Sequence, residues 1–188
     1  MFEAFYPDYW CRSTYDIDFQ KLFDGGVRGI IFDIDNTLVP HGAPADERAE
    51  ALFAKLKEIG LHSCLVSNNR RRRVEMFNRN IGTDIVCLAN KPFKGGYIRA
   101  MEKMGTDAES TVCIGDQLFT DIWGANRIGI RSILVSPINP KEEIQIILKR
   151  LPERAVLRRF RKTAAEKIRT SSGTVWKRRG LPDGRGGL

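Results

Sequence analysis

The sequence predicts an α/β fold: a doubly wound, Rossmann-like parallel sheet with helices on both faces. Two observations carry that prediction. Short apolar runs alternate with helical patterns about five times along the chain, as in parallel sheets built from right-handed crossovers. The first of these runs, 27–32, is apolar apart from Arg28 and rich in Ile, the mark of a strand covered on both faces. It is also far too short to cross a membrane.

Phe2, Phe5, Tyr6, Tyr9 and Trp10 crowd into the first ten residues. Two readings stay open for residues 1–10: an arm packed on the domain, or an anchor at a bilayer interface, where amphipathic aromatics are favoured. Residues 16–24 read as a short helix ending at Gly25-Gly26. The first strand then stops abruptly at Asp33-Ile34-Asp35-Asn36-Thr37. A period of two leaves Asp33 and Asp35 on one side at the strand's end, and open parallel sheets bind ligands outside those ends. Two acids there can hold a hard cation and take different roles. They can also make a plain polar turn. A calcium loop does not fit, because no Gly and no later Glu follow at its spacing.

A helix is predicted over 46–59, with Leu52, Phe53, Leu56 and Ile59 at helical spacing and Gly60 as its stop. The strand 62–67 ends in Ser67-Asn68-Asn69. The next helix carries Arg70 to Arg73 in its first turn, then Val74, Met76 and Phe77. A strand over 84–89 runs to Asn90-Lys91-Pro92, and a helix over 96–104 leads to the strand 111–115. That strand ends at Asp116-Gln117, with Asp121 opening a further helix, and the strand 131–135 closes the sheet. No internal repeat is evident.

With 188 residues and 42% hydrophobic content, one domain with a real core is expected, plus a tail. The net charge of +8 is uneven. Residues 149–188 hold thirteen Lys or Arg against three acids, a net +10 that leaves −2 for residues 1–148. The expected organisation is an aromatic-rich arm (1–24), a catalytic core (25–150), and a basic amphipathic helix with a disordered tail (151–188). The four cysteines show no Cys-x-x-Cys spacing, and only His41 and His62 occur, so zinc and redox motifs are not expected. Cys64, Cys87 and Cys113 fall in predicted strands, as buried thiols of a reducing compartment. Neither a signal peptide nor a long apolar span is apparent. The expectation is a cytoplasmic protein, peripheral on the inner face of the membrane.

Asp33 and Asp35, Ser67, Lys91 and Asp116 thus stand at successive strand ends, which a parallel sheet brings to one edge. Carboxylates suit Mg2+, which takes one or two of them plus substrate phosphate oxygens. A carboxylate nucleophile can form an aspartyl-phosphate, and a lysine can offset the transferring charge.

Those residues resemble the haloacid dehalogenase (HAD) superfamily. Its first motif, Asp-x-Asp-x-Thr, matches Asp33-Ile34-Asp35-Asn36-Thr37. Its second matches Ser67 and its third Lys91, with Lys94 a weaker match. Its fourth matches Gly115-Asp116 and Asp121. The resemblance covers roughly 25–137 and implies a role for each residue. Asp33 would be the nucleophile and Asp35 the general acid and base. Ser67 would bond the phosphoryl group, with Thr37, Asn68 and Asn69 lining the substrate site, and Lys91 would steady Asp33. Mg2+ would be held by Asp33, the backbone carbonyl of Asp35, and Asp116, with Gly115 and Asp121 supporting that loop. Ser67, Asn68 and Asp121 can also act only as helix-start residues.

Only one helix and one strand fit between Leu38 and Ser67, and again between Ser67 and Lys91, so no cap domain is expected. The chain is most similar to the capless, YqeG-like group of subfamily IIIA, itself similar to phosphatidylglycerophosphate phosphatases. That implies a lipid-linked phosphate monoester as substrate. Arg70 to Arg73 lie next to the predicted site, although four consecutive residues cannot all face one way on a helix. Over 144–168 an imperfect apolar stripe with interleaved Arg can pack on the sheet or, over 151–168, rest on an anionic membrane. The alternative is a phosphatase of phosphoproteins or other macromolecules, with the basic tail docking nucleic acid or the ribosome. No nucleic-acid fold motif supports it.

Overall fold

The computed structural model describes residues 3–139. Six strands form one sheet: β1 (Tyr9–Cys11), β2 (Gly29–Phe32), β3 (His62–Val66), β4 (Asp84–Val86), β5 (Thr111–Gly115) and β6 (Arg131–Val135). Their order is β1-β6-β5-β2-β3-β4, and every pairing is parallel. The helices are α1 (Phe19–Asp24), α2 (Glu47–Ile59), α3 (Arg71–Asn78), α4 (Lys94–Met104) and α5 (Trp123–Asn126). One π-helical turn, Leu118–Ile122, leads into α5.

Alternation along the strands builds the two faces. Ile30 and Phe32 of β2 point into a core closed by Phe19 and Leu22 of α1, Leu52, Phe53 and Leu56 of α2, and Val74 and Phe77 of α3. Ile31 points the other way, with Cys64 and Cys113, against Tyr97, Ala100 and Met104 of α4 and Ala125 of α5. Period-two side chains on a strand demand cover on both sides, and the helices supply it. Asp46 begins α2 as its cap, its Oδ1 accepting from the Ala49 N–H at 2.8 Å. Gly60 ends α2 with φ of 91°, a conformation where a Cβ is disfavoured.

The strand order reverses direction at β2, which pairs with β3 on one side and β5 on the other. A crevice opens at such a switch point, outside the carboxyl ends of the strands. Only α2 lies between β2 and β3, and only α3 between β3 and β4, so no cap is inserted over that edge.

Several boundaries differ from those the sequence predicts. The segment before Val27 belongs to the sheet: β1 pairs with β6, Tyr9 beside Ile133 and Cys11 beside Val135. Phe5 packs its ring 5.1 Å from Phe119 and from Trp123. Among the described aromatics of this segment, Trp10 is the exposed one, at 51%. A three-residue edge strand is too short to display a period, so it read as an arm. The helix over 16–24 is instead a 3-10 turn, Thr14–Asp16, followed by α1 with Asp18 as cap. The strands over 62–67 and 84–89 stop early, at Val66 and Val86. Leu88 and Asn90 take positive φ (46° and 55°), which turns the chain and leaves Cys87 beyond the strand. All four cysteines are free thiols, with Cys11, Cys64 and Cys113 buried. The predicted 144–168 helix and the tail beyond it lie outside the described residues. Among the described residues no helix is long and apolar enough to cross a membrane.

Candidate active site

Each candidate residue stands one or a few positions past a strand end. The Asp33 N–H donates to Ile114 O at 3.0 Å, extending the β2–β5 ladder one residue into the crevice. The Ser67 N–H does the same toward Val86 O at 3.1 Å. After Asp33 the chain folds over itself, with Asn36 at φ 64° donating its N–H to Val39 O at 2.7 Å. Asn tolerates this left-handed conformation better than most residues. The same Asn36 accepts from the backbone of Ile138 at 3.0 Å, which ties the loop after β6 to the site.

Lys91 occupies the centre. Its Nζ donates to Asp33 Oδ1 at 2.6 Å and to Asp121 Oδ1 at 2.7 Å, and the side chain is almost wholly buried. Asn68 fixes the lysine's backbone from both directions, accepting from Lys91 N–H at 2.6 Å and donating to Lys91 O at 3.2 Å. Burial by itself lowers the ammonium's pKa, but Asp121 and Asp33 more than offset it and hold Lys91 above its ordinary value. For Asp33 burial dominates. It pushes the carboxyl up to about 6, with Lys91 pulling down and Asp121 adding to the rise. Lys94, by contrast, is exposed at the start of α4.

Asp33, Asp116 and Asp121 bring carboxylate oxygens within 4.8 Å of one another. Buried carboxylates alone, without His or Cys, fit a hard divalent cation. Their parts differ. Asp121 is engaged at both oxygens, Oδ1 with Lys91 and Oδ2 with the Gln117 N–H at 3.2 Å, which suits a supporting residue. Asp116 Oδ1 accepts from Thr37 Oγ1 at 3.3 Å, so the first and fourth motifs touch. Asp35 is the one metal candidate whose carboxylate is not in the trio.

Gly115 explains itself by contact. A Cβ there would fall within 2.5 Å of Asp121 Cβ and Oδ2. Gly115→Ala therefore displaces Asp121, and with it Lys91. We expect a loss of about 1–3 kcal/mol from overpacking, read by thermal melting, with phosphate release down about 10- to 100-fold.

The Asp35 carboxylate is surrounded by donors. Oδ1 accepts from the Gly42 N–H at 2.9 Å and from Arg73 Nη2 at 2.7 Å, and Oδ2 from Asn69 Nδ2 at 2.6 Å. His41 Nδ1 lies 3.9 Å from Oδ2. Ser67 Oγ accepts from the Asn69 N–H at 3.1 Å. Asn68 and Asn69, expected to face substrate, thus set the positions of Lys91 and Asp35. Among the four arginines, only Arg73 turns inward. Arg71 pairs with Glu75 at 3.0 Å on the surface, and Arg70 and Arg72 are exposed. The sequence says that the four arginines cannot all face one way but not which of them turns inward. The signal was available in Phe77, four residues on and on the same helix face as Arg73.

A parallel sheet with acids gathered at its switch point, joined by a buried lysine, defines a Rossmann-like hydrolase of the phosphotransfer kind. Comparison with known proteins agrees. A family model described as HAD-hydrolase-like matches residues 88–144. Probable phosphatase YqeG of Bacillus subtilis is 38% identical over 154 residues, covering 81% of this chain and 90% of that protein. Phosphatidylglycerophosphate phosphatase 1 of Chlamydomonas reinhardtii is 27% identical over 137 residues, covering 68% of this chain. The Arabidopsis thaliana phosphatase of the same name is 28% identical over 156 residues, covering 77%. The chain spans 51% and 44% of the length of these two. It belongs to the HAD superfamily, in the YqeG-like group, and is a phosphatase.

Proposed function

We propose that the protein hydrolyses a lipid-linked phosphomonoester, phosphatidylglycerophosphate in the first instance, with Asp33 as nucleophile. The observation that carries the mechanism is the Lys91 ammonium bridging Asp33 and Asp121 inside the carboxylate cluster. An Asp33 oxygen attacks phosphorus and the bond to the leaving oxygen breaks. Asp35 supplies the proton that this oxygen takes up. Water then attacks the aspartyl-phosphate and gives its proton to Asp35, and inorganic phosphate leaves. Ser67 donates to a phosphoryl oxygen, and Thr37 keeps Asp116 in place. Mg2+ would be held by Asp33, the backbone carbonyl of Asp35, and Asp116. There it would neutralise phosphoryl charge and orient the group for in-line displacement.

A lipid substrate is supported by the uncapped edge and by the names of the two plant-type relatives. It is supported also by two exposed apolar side chains, Leu88 (63% exposed) and Phe93 (57% exposed), on the loop that carries Lys91. Set beside exposed Arg70, Arg71 and Arg72, they suit an anionic bilayer surface on the cytoplasmic side.

The test is Mg2+-dependent phosphate release from phosphatidylglycerophosphate in anionic vesicles, with p-nitrophenyl phosphate and a phosphopeptide in parallel. A kcat/KM for the lipid about 100-fold or more above both others is expected, the scale of preference that remote binding energy supplies. Release from the small ester alone sinks the lipid assignment and keeps the chemistry. Preference for the phosphopeptide moves the substrate to protein.

A further inference from the structure

Arg73 is built into the site in a way the phosphatase chemistry does not absorb. Its side chain is 15% exposed, and it makes one hydrogen bond, from Nη2 to Asp35 Oδ1. The buried Nε and Nη1 have no hydrogen-bond partner among the described residues. Of a guanidinium's five N–H groups, the three on Nε and Nη1 lie idle in a protected place. Native proteins leave few buried donors in that condition, and a catalytic role or a bound ion is among the recognised reasons.

The rest of the surroundings says which ligand. Asp35 does not need Arg73 to be oriented, since Gly42 N–H and Asn69 Nδ2 already hold its two oxygens. The two inward cations also divide the site. Lys91 stands with Asp33 on the side of the nucleophile, and Arg73 with Asp35 on the side of the acid. Under the reading that Asp35 protonates the leaving oxygen, Arg73 is beside the leaving group. A planar fork with three unused N–H groups matches a group that offers several oxygens in one place, and phosphate is the best of these. For Nε and Nη1 to meet a ligand, the guanidinium would turn about its one side-chain hydrogen bond, to Asp35.

We propose that Arg73 is a specificity-determining residue that binds a second phosphate, a phosphodiester, carried on the leaving group of the substrate. A lipid in which one glycerol separates the phosphodiester from the terminal monoester places the two groups on these two sides. This deepens the proposed function and rests on its assignment of Asp35.

The experiment compares two phosphomonoesters. One is a short-chain, soluble phosphatidylglycerophosphate, which has the diester. The other is glycerol 3-phosphate, which lacks it. In Arg73→Gln the ratio of the two kcat/KM values should fall about 10- to 100-fold, mostly through KM for the diester-bearing substrate, as expected for loss of hydrogen bonds to a charged group. Arg73→Lys should recover part of the ratio, since it keeps the charge and loses the fork. Proportional loss on both substrates overturns the proposal and leaves Arg73 a positioning residue for Asp35, as does no loss on either.

A second measurement needs no turnover. Calorimetric titration of the same two compounds into Asp33→Asn and Asp33→Asn/Arg73→Gln should show the diester-bearing ligand weakened at least about 10-fold by loss of Arg73. Glycerol 3-phosphate should be weakened far less. Equal affinities in the two proteins, or no binding of the diester-bearing ligand to either, overturns the proposal. If the wild type releases phosphate from neither compound, the proposed function fails, while this titration still decides the role of Arg73.

Discussion

Asp33→Asn should reduce phosphate release on the order of 10⁴-fold or more in kcat, yet melt no lower than wild type at pH 7. The amide keeps the shape of the side chain but cannot attack phosphorus. No neighbour replaces it, because Asp35 is held by Gly42, Arg73 and Asn69, and Asp121 by Lys91 and Gln117. The stability half follows from the sign of the pKa shift. Burial raises the Asp33 carboxyl to about 6, so at neutral pH, where it is ionised, its charge opposes folding. Removing that charge relieves a like-charge cluster, and Lys91 keeps Asp121 as its partner. Steady-state release and a thermal melt of the same preparations check both halves. A variant with more than about 1% of wild-type kcat has kept its nucleophile, and the assignment to Asp33 would be wrong.

The place of Asp33 at the end of a buried strand was legible in the sequence, while its role as nucleophile is what the HAD resemblance implies. An apolar run of that kind must be covered on both faces, so its polar end is the part left for function. The strands β5 and β6 were equally legible, since Thr111–Gly115 and Arg131–Val135 are each mostly apolar and bounded by turns. Convergence of Ser67, Lys91 and Asp116 followed from parallel topology alone.

What the sequence concealed has particular causes. β1 is three residues on an edge, and its aromatic residues suit an arm as well as a strand. The end of β4 depends on positive φ at Leu88 and Asn90, conformations that residue type does not announce. Those two turns bring Lys91 back toward Asp33, so the element hardest to read is the one that delivers the central cation. Asn68 looks like a helix-start residue and Asn69 like a substrate contact, and their partners, the Lys91 backbone and the Asp35 carboxylate, are remote in sequence. Arg73 was hidden inside a run of identical residues until the buried Val74 and Phe77 set the phase of α3.

Lys91→Met should be the most damaging single change to the fold of the site. Methionine has similar length, so the packing survives, but Asp33 and Asp121 lose their shared cation inside a nearly dry pocket. Breaking a buried pair by removing one partner costs about 3–5 kcal/mol, because the orphaned charge is worse than no pair at all. Here two carboxylates are orphaned, with Asp116 close by. Activity should fall on the order of 10³-fold, since the charge that steadies Asp33 and the transferring phosphoryl group is gone. The pH dependence separates this account from a simple packing defect. In the variant nothing opposes the burial that already raises Asp33, so its folded state binds protons more tightly than the unfolded chain. The stability deficit against wild type should therefore narrow as pH falls from the higher value Asp33 takes in the variant toward about 6, its value in the wild type. In the wild type the Lys91 contribution is complete at neutral pH and is lost only as pH rises through its elevated value. Chemical denaturation of both proteins from pH 5 to pH 9, in chelator, measures the difference. A deficit that stays constant over that range would mean that Lys91 acts through its packing, and that the charge bridge between Asp33 and Asp121 contributes little to holding the site together.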